Sequence, residues 1–214
     1  MKNYFFGNML CVVIIFFFSC EPQSIVKFKD PQPVGSENLN SFPSRFTGHY
    51  VNDETSLAMI ISAQQIVSRH EADLAEHKDS LQNYFDIAYD SILDKETSAR
   101  YHFTINGDTA YWHHTLPFDT IFSIEKGGVL RKLRGHYFLN MPVDSGYWNV
   151  RKIDLVKGKL VVADIIDSAD IANLQEITQT ANDSTYVFKP TRKQFKKYVK
   201  NDGFAAERIL YKIK

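Results

Sequence analysis

Seven histidines, at positions 49, 70, 77, 102, 113, 114 and 136, are the residues of this chain whose type best suits metal or acid–base chemistry. A metal site built on one helix needs its histidines at a spacing that stacks both rings on one face, and no pair here falls in such a motif. His113 and His114 are neighbours, and on a strand neighbours point to opposite faces. His102 and His113 fall on the same polar face of a hairpin, diagonally across it, within reach of long side chains. They are the candidate metal pair. The sequence nominates no third ligand, so solvated or hydrogen-bonded imidazoles are the simpler reading, and no cofactor is assigned. Carboxylates are abundant, but none stands in an apolar stretch that would raise its pKa for proton transfer. No nucleophile elbow, phosphate loop or nucleotide fingerprint occurs. A Ser-His-acid triad assembled in space stays open.

The two cysteines do a different kind of chemistry. Cys11 lies in the apolar run 9–18, and Cys20 follows Phe17-Phe18-Ser19. Spanning a bilayer takes about 20 apolar residues, roughly twice this run. No cations follow it, so an export signal over 1–19 fits better than a transmembrane helix. The segment 17–20 resembles the lipobox of bacterial lipoproteins, with Ser19 in the small position before the cysteine and phenylalanines departing from the usual residues. That resemblance implies cleavage before Cys20 and its diacylation, which supplies the second chain that stable anchoring requires. With Cys11 removed and Cys20 acylated, no thiol remains for a disulfide, a nucleophile or a metal.

Charge balances overall, with Lys+Arg 25 against Asp+Glu 25, but not locally. Residues 186–214 carry nine Lys/Arg against Asp202 and Glu207, whereas 71–96 carry eight acidic residues against Lys78 and Lys95. The stretch Arg192–Lys200 reads as a helix capped by Thr191, with Phe195, Tyr198 and Val199 inward and Gly203 as terminator. Its Arg192, Lys193, Lys196, Lys197 and Lys200 suit anionic headgroups, or simply form a solvated outer face. Aromatic interleaving for nucleic acid is absent.

The elements that position these residues are mostly strands. Residues 20–42, with Pro22, Pro31 and Pro33, read as a tether reaching roughly 70 Å at about 3.3 Å per residue. A single β-rich domain is expected over 43–214. Strands are expected at 46–52 and 56–62; the stretch 63–92 fits helix or strands, with strand favoured for 65–71. Asn106-Gly107 predicts a two-residue hairpin pairing His102 with Tyr111. Further hairpins are expected between 118–124 and 129–140, and between 148–156 and 159–165 with Leu155 opposite Leu160. Residues 167–184 read as a short amphipathic turn or embedded loop, 186–189 as a short strand and 206–213 as the last strand. Gly48-His49-Tyr50 and Gly135-His136-Tyr137 form a faint internal echo.

The loose lipobox, Asn38-Leu39-Asn40-Ser41-Phe42-Pro43, Gly48-His49-Tyr50, Gly107-Asp108-Thr109, Asp119-Thr120-Ile121-Phe122, the run 130–140, Leu174-Gln175-Glu176-Ile177-Thr178, Lys193-Gln194-Phe195-Lys196-Lys197 and Asn201-Asp202-Gly203-Phe204 together resemble a group of cell-envelope lipoproteins of Bacteroidetes. The resemblance implies strands through the ambiguous region and assigns no catalytic residue. The expectation is a mainly β protein, an antiparallel hairpin-built barrel or curved sandwich with a short C-terminal helix. It would be anchored in the envelope, at the outer membrane ahead of the inner, and bind or scaffold a protein, lipid or glycan partner rather than nucleic acid. An envelope hydrolase or metal-dependent enzyme is the competing reading, and oligomeric state is not legible.

Overall fold

Alternating apolar and polar positions dominate the chain from Gly48 onward, and strands are what they form. The computed structural model describes residues 25–83, 85–88, 91–95, 98–143, 146–180 and 186–213. The strands are β1 (Lys27–Phe28), β2 (Gly48–Asn52), β3 (Leu57–Ile61), β4 (Gln65–His77), β5 (Phe85–Ala88), β6 (Ser91–Asp94), β7 (Arg100–Asn106) and β8 (Thr109–Thr115). They continue as β9 (Asp119–Ser123), β10 (Val129–Leu133), β11 (His136–Val143), β12 (Tyr147–Val156), β13 (Lys159–Asp164), β14 (Val187–Phe188) and β15 (Ala206–Lys212). Among the described residues three short α-helices are interspersed, α1 (Lys78–Leu81), α2 (Ser168–Thr178) and α3 (Arg192–Lys200), with a 3-10 turn at Ser44–Phe46.

The strands make one large sheet in the order β10-β11-β12-β13-β15-β2-β3-β4-β8-β7-β6-β5, with β9 beside β4 and with β1 and β14 extending it past β12. The protein is mainly β and sandwich-like, and the sheet does not close into a barrel. The gap lies between β9 and β10. Leu39 occupies the free edge of β10, its N–H donating to the Leu130 carbonyl at 2.8 Å, where a closing strand would have to pair.

Both faces of this sheet bury side chains. Tyr50, Met59, Ile61, Phe122, Leu139, Ile153, Leu160 and Leu210 fill the inside of the curl. On the outer face Phe138, Val150 and Ala163 meet α2, α3, β1 and β14 through Phe28, Leu174, Phe188, Phe195 and Tyr198. A smaller core of Leu81, Ile92, Tyr101, Ala110 and Trp112 holds β5 to β8 together.

Several expectations need correction. The tether does not run from 20 to 42. Val26 and Phe28 are fully buried, Phe28 pairs with Trp148, and Phe42 enters the inner core. Asn140 explains how an irregular, proline-containing segment is held. Its amide donates to the carbonyls of Gln32 and Val129, both at 2.9 Å, and its Oδ1 accepts from the Gln32 N–H. Arg131 adds bonds to the Pro33 carbonyl at 3.1 Å and to Asn38 at 2.8 Å. The β7–β8 loop is Gly107-Asp108, not Asn106-Gly107, because Asn106 pairs with Thr109. Only Gly107 of the two takes a positive φ, 63°, the glycine-first arrangement of a II′ turn. The shift is two residues, so the faces keep their occupants. Residues 129–140 form a hairpin of their own, turning at Arg134-Gly135, while β9 pairs with β4 instead. The stretch 63–92 resolves mostly into strands around the four-residue α1. Residues 168–178 are a helix rather than a loop, capped by Asp167 with Ile171, Leu174 and Ile177 buried.

Other expectations hold in detail. Leu155 faces Leu160 and Ile153 faces Val162. Thr191 caps α3 in a reciprocal capping box with Gln194.

Gly203 is constrained by space. A Cβ there would lie 2.5 Å from Cζ of Tyr198, and that ring is not free to step aside. It is fully buried, and its hydroxyl is hydrogen-bonded to the buried Asp170, whose Oδ2 also accepts the Ala205 N–H at 2.7 Å. Gly203→Ala is therefore expected to destabilise the fold by about 1–3 kcal/mol, the range for overpacking. In urea unfolding this reads as a lower midpoint at unchanged slope; a wild-type midpoint would contradict the packing argument.

Candidate functional site

The strand β4 is long enough to serve two neighbourhoods, and the candidate site lies where it passes from one to the other. Its first half runs between β3 and β9, and its second half pairs with β8. Between β8 and β9 sits Leu116-Pro117-Phe118, and Pro117 cannot donate to a ladder, so the edge breaks there. A groove of about 240 Å³ opens at this junction, lined by Asn52, Asp53, Ser56, Glu71, Asp73 and His113 among others.

Register sets the polar groups of the groove. Asp73 lies opposite His113, and Glu71 is one alternate position along the same face. His113 Nδ1 is 2.9 Å from Asp73 Oδ1, and its Nε2 is 3.8 Å from Glu71 Oε2. Glu71 also pairs with Arg69, whose guanidinium lies 4.2 Å above the Phe118 ring. Asp73 is 93% and His113 55% exposed, so water screens these charges. The arrangement offers hydrogen-bond acceptors and a bridging imidazole to a polar ligand.

His102 and His113 lie on the neighbouring strands β7 and β8. His113 turns to the carboxylates of β4, while His102 sits on β7 opposite Ser91 of β6. Among the described residues no group of three His, Cys, Asp or Glu side chains is placed to hold a metal ion. Four other histidines have local partners. His136 bonds Asp154 at 2.8 Å, His77 accepts from the Asp79 N–H, His70 lies 3.3 Å from the Thr55 carbonyl, and His114 stacks on Tyr101 with ring centroids 4.8 Å apart. Asp73 and Glu71 are the site residues that sequence reasoning missed. The acidic alternation Glu71, Asp73 in the extension of the 65–71 strand was the available signal, but their nearness to His113 depends on a pairing across 40 residues.

A second opening, of about 250 Å³, lies at the seam of the sheet between Thr120, Phe122, Lys126, Met141 and Pro142. On α3 all five cations, Arg192, Lys193, Lys196, Lys197 and Lys200, are exposed, and Arg192 donates to the Gly35 carbonyl at 2.8 Å. The expected signal segment 1–19 and Cys20 lie outside the described residues. Among the described residues no helix is long and apolar enough to cross a membrane.

A scan against protein-family models finds no match to this chain, and searches of curated proteins and of solved structures find none either.

His114, behind the groove, makes the hairpin region pH-sensitive. Burial holds its pKa below the ordinary 6.5, with His113 adding to the depression and Asp94 opposing it. Its Nδ1 is buried without a hydrogen-bond partner among the described residues. The unfolded chain therefore binds more protons than the folded one below pH 6.5. This stabilisation is complete above that value and is lost as pH falls through the folded pKa. Urea midpoints from pH 7.5 to 5 are expected to decline less steeply in His114→Phe, which keeps the ring stack. Equal slopes would show that His114 does not titrate this way.

Proposed function

We propose that this chain is a lipid-anchored module of the bacterial cell envelope, at the outer membrane in preference to the inner, that acts by binding. Cys20 carries the reading. It follows a small residue at the end of an apolar run too short to span a bilayer, and the folded body begins a handful of residues later with the buried Val26. The resemblance to envelope lipoproteins of Bacteroidetes points the same way.

A ligand would be met on the surface. The inside of the curl is packed with aromatic and aliphatic side chains, and the groove beside β4, unlike the opening beside Phe122, offers carboxylates and an imidazole. Its carboxylates and imidazole suit a partner rich in hydrogen-bond donors, such as the hydroxyls of a glycan or a basic segment of another protein. The groove is polar and open to solvent at Asp73 and His113, which fits a polar partner better than a small apolar molecule.

The anchor is tested by expressing wild type and Cys20→Ala in a related bacterial host, then comparing detergent partitioning and the mass of the N-terminal peptide. The wild type is expected in the detergent phase, with a diacylated Cys20 peptide, and the variant is expected to lose that modification. An unacylated product from the wild type would overturn the proposal.

A further inference from the structure

We infer that the outward face of α3 docks on the anionic phospholipid headgroups of the membrane that holds the Cys20 lipid. The inference rests on the anchor proposed above. It deepens that reading by fixing which side of the body faces the bilayer.

Three observations converge on one corner of the molecule. The first strand, β1, runs parallel to β14, with Phe28 beside Phe188. The chain leaves β14 through Pro190 and Thr191 directly into α3. Phe28 and Phe195 of α3 pack edge to face, with ring centroids 6.2 Å apart. The point where the chain enters the body and the cationic helix are therefore immediate neighbours, although most of the sequence separates them.

Distance follows from covalent geometry. Fully extended, the residues between Cys20 and Ile25 reach roughly 17 Å at about 3.3 Å per residue. A lipid on Cys20 thus keeps this corner close to the headgroups, and so short a link gives the helix a high effective concentration there. Electrostatic attraction to a charged bilayer decays over a Debye length of about 8 Å at physiological salt, which the lysine side chains can bridge.

The helix face suits that surface. Phe195 and Tyr198 are buried, while Lys193, Lys196, Lys197 and Lys200 are exposed, and among the described residues none of these four is ion-paired. Lys29 and Lys189, both exposed, stand at the adjoining ends of β1 and β14 and add to the positive field. The neighbouring α2 has no basic residue and exposes Asp167 and Glu176, so contact is confined to α3 and its approach. No aromatic lies on the outward face, so the contact is by charge and is erased by salt.

The test uses the acylated full-length product, reconstituted in vesicles of phosphatidylcholine alone or with 30% phosphatidylglycerol, and an impermeant amine-labelling reagent read by mass spectrometry. With the anionic lipid at about 0.1 M salt, labelling of Lys193, Lys196, Lys197 and Lys200 is expected to slow at least tenfold. Adding 1 M salt should restore it. Lys157, at the far end of β12 from β1, should label equally in both vesicles and serves as the internal reference. Protection of the four lysines only in anionic vesicles supports the inference. Equal labelling in both, with Cys20 acylated, overturns the inference and leaves the anchor standing. An unmodified Cys20 peptide overturns both.

Discussion

The three strands β11, β12 and β13 each bury apolar side chains on both faces, and those side chains need cover on both. In β11 the alternation is explicit, since Tyr137 and Leu139 point into the curl while Phe138 points outward. Each such side chain gains about 1.5–3 kcal/mol from burial, so leaving a whole face wet would forfeit much of the stability of a domain this size. The inner face is satisfied by the sheet bending back on itself. The outer face has to be covered by something else, and the chain supplies α2, α3 and its own N-terminal segment. Phe138 sits at the centre of that cover, with Phe195 and Phe204 at 5.1 and 5.8 Å.

Covering a sheet with irregular chain brings in backbone groups that need partners. Asn140 and Arg131 meet this need from the sheet side, bonding to residues from Pro31 to Asn38. Below the helices the Asp170 carboxylate serves both the Ala205 N–H and the Tyr198 hydroxyl. Its burial raises its pKa, and burial likewise raises that of Tyr198. The same need for cover has a functional consequence. Because the N-terminal segment is part of the lid, the proposed Cys20 lipid would lie on the helix side of the molecule.

The other end of the sheet is built on a lighter principle. Strands β5 to β8 share only a small core, and they carry exposed Ile87, Ile105 and Tyr111. They join the main body chiefly through β4, so local opening there costs less than unfolding the whole. The groove with Glu71, Asp73 and His113 lies at this joint, where one strand continues while its partner changes.

Local patterns in the chain decided much of this. The Lys157-Gly158 turn between two apolar alternations placed Leu155 against Leu160, and Thr191 marked the start of α3, because turn and cap chemistry is settled within a few residues; at its end Asp202, not Gly203, takes the left-handed conformation. The apolar run and Cys20 carry the anchor proposal for the same reason. Tertiary structure decided what depends on distant partners. An irregular segment with three prolines reads as a tether until Asn140, on a strand far along the chain, is seen to hold Gln32. Residues 129–140 read as one strand because Arg134-Gly135 interrupts them with only two residues. His113 met Asp73 because β8 pairs with β4, a neighbour that local sequence does not reveal. Periodicity tells which face a side chain takes, but which strands lie side by side is fixed by burying both faces of the sheet at once.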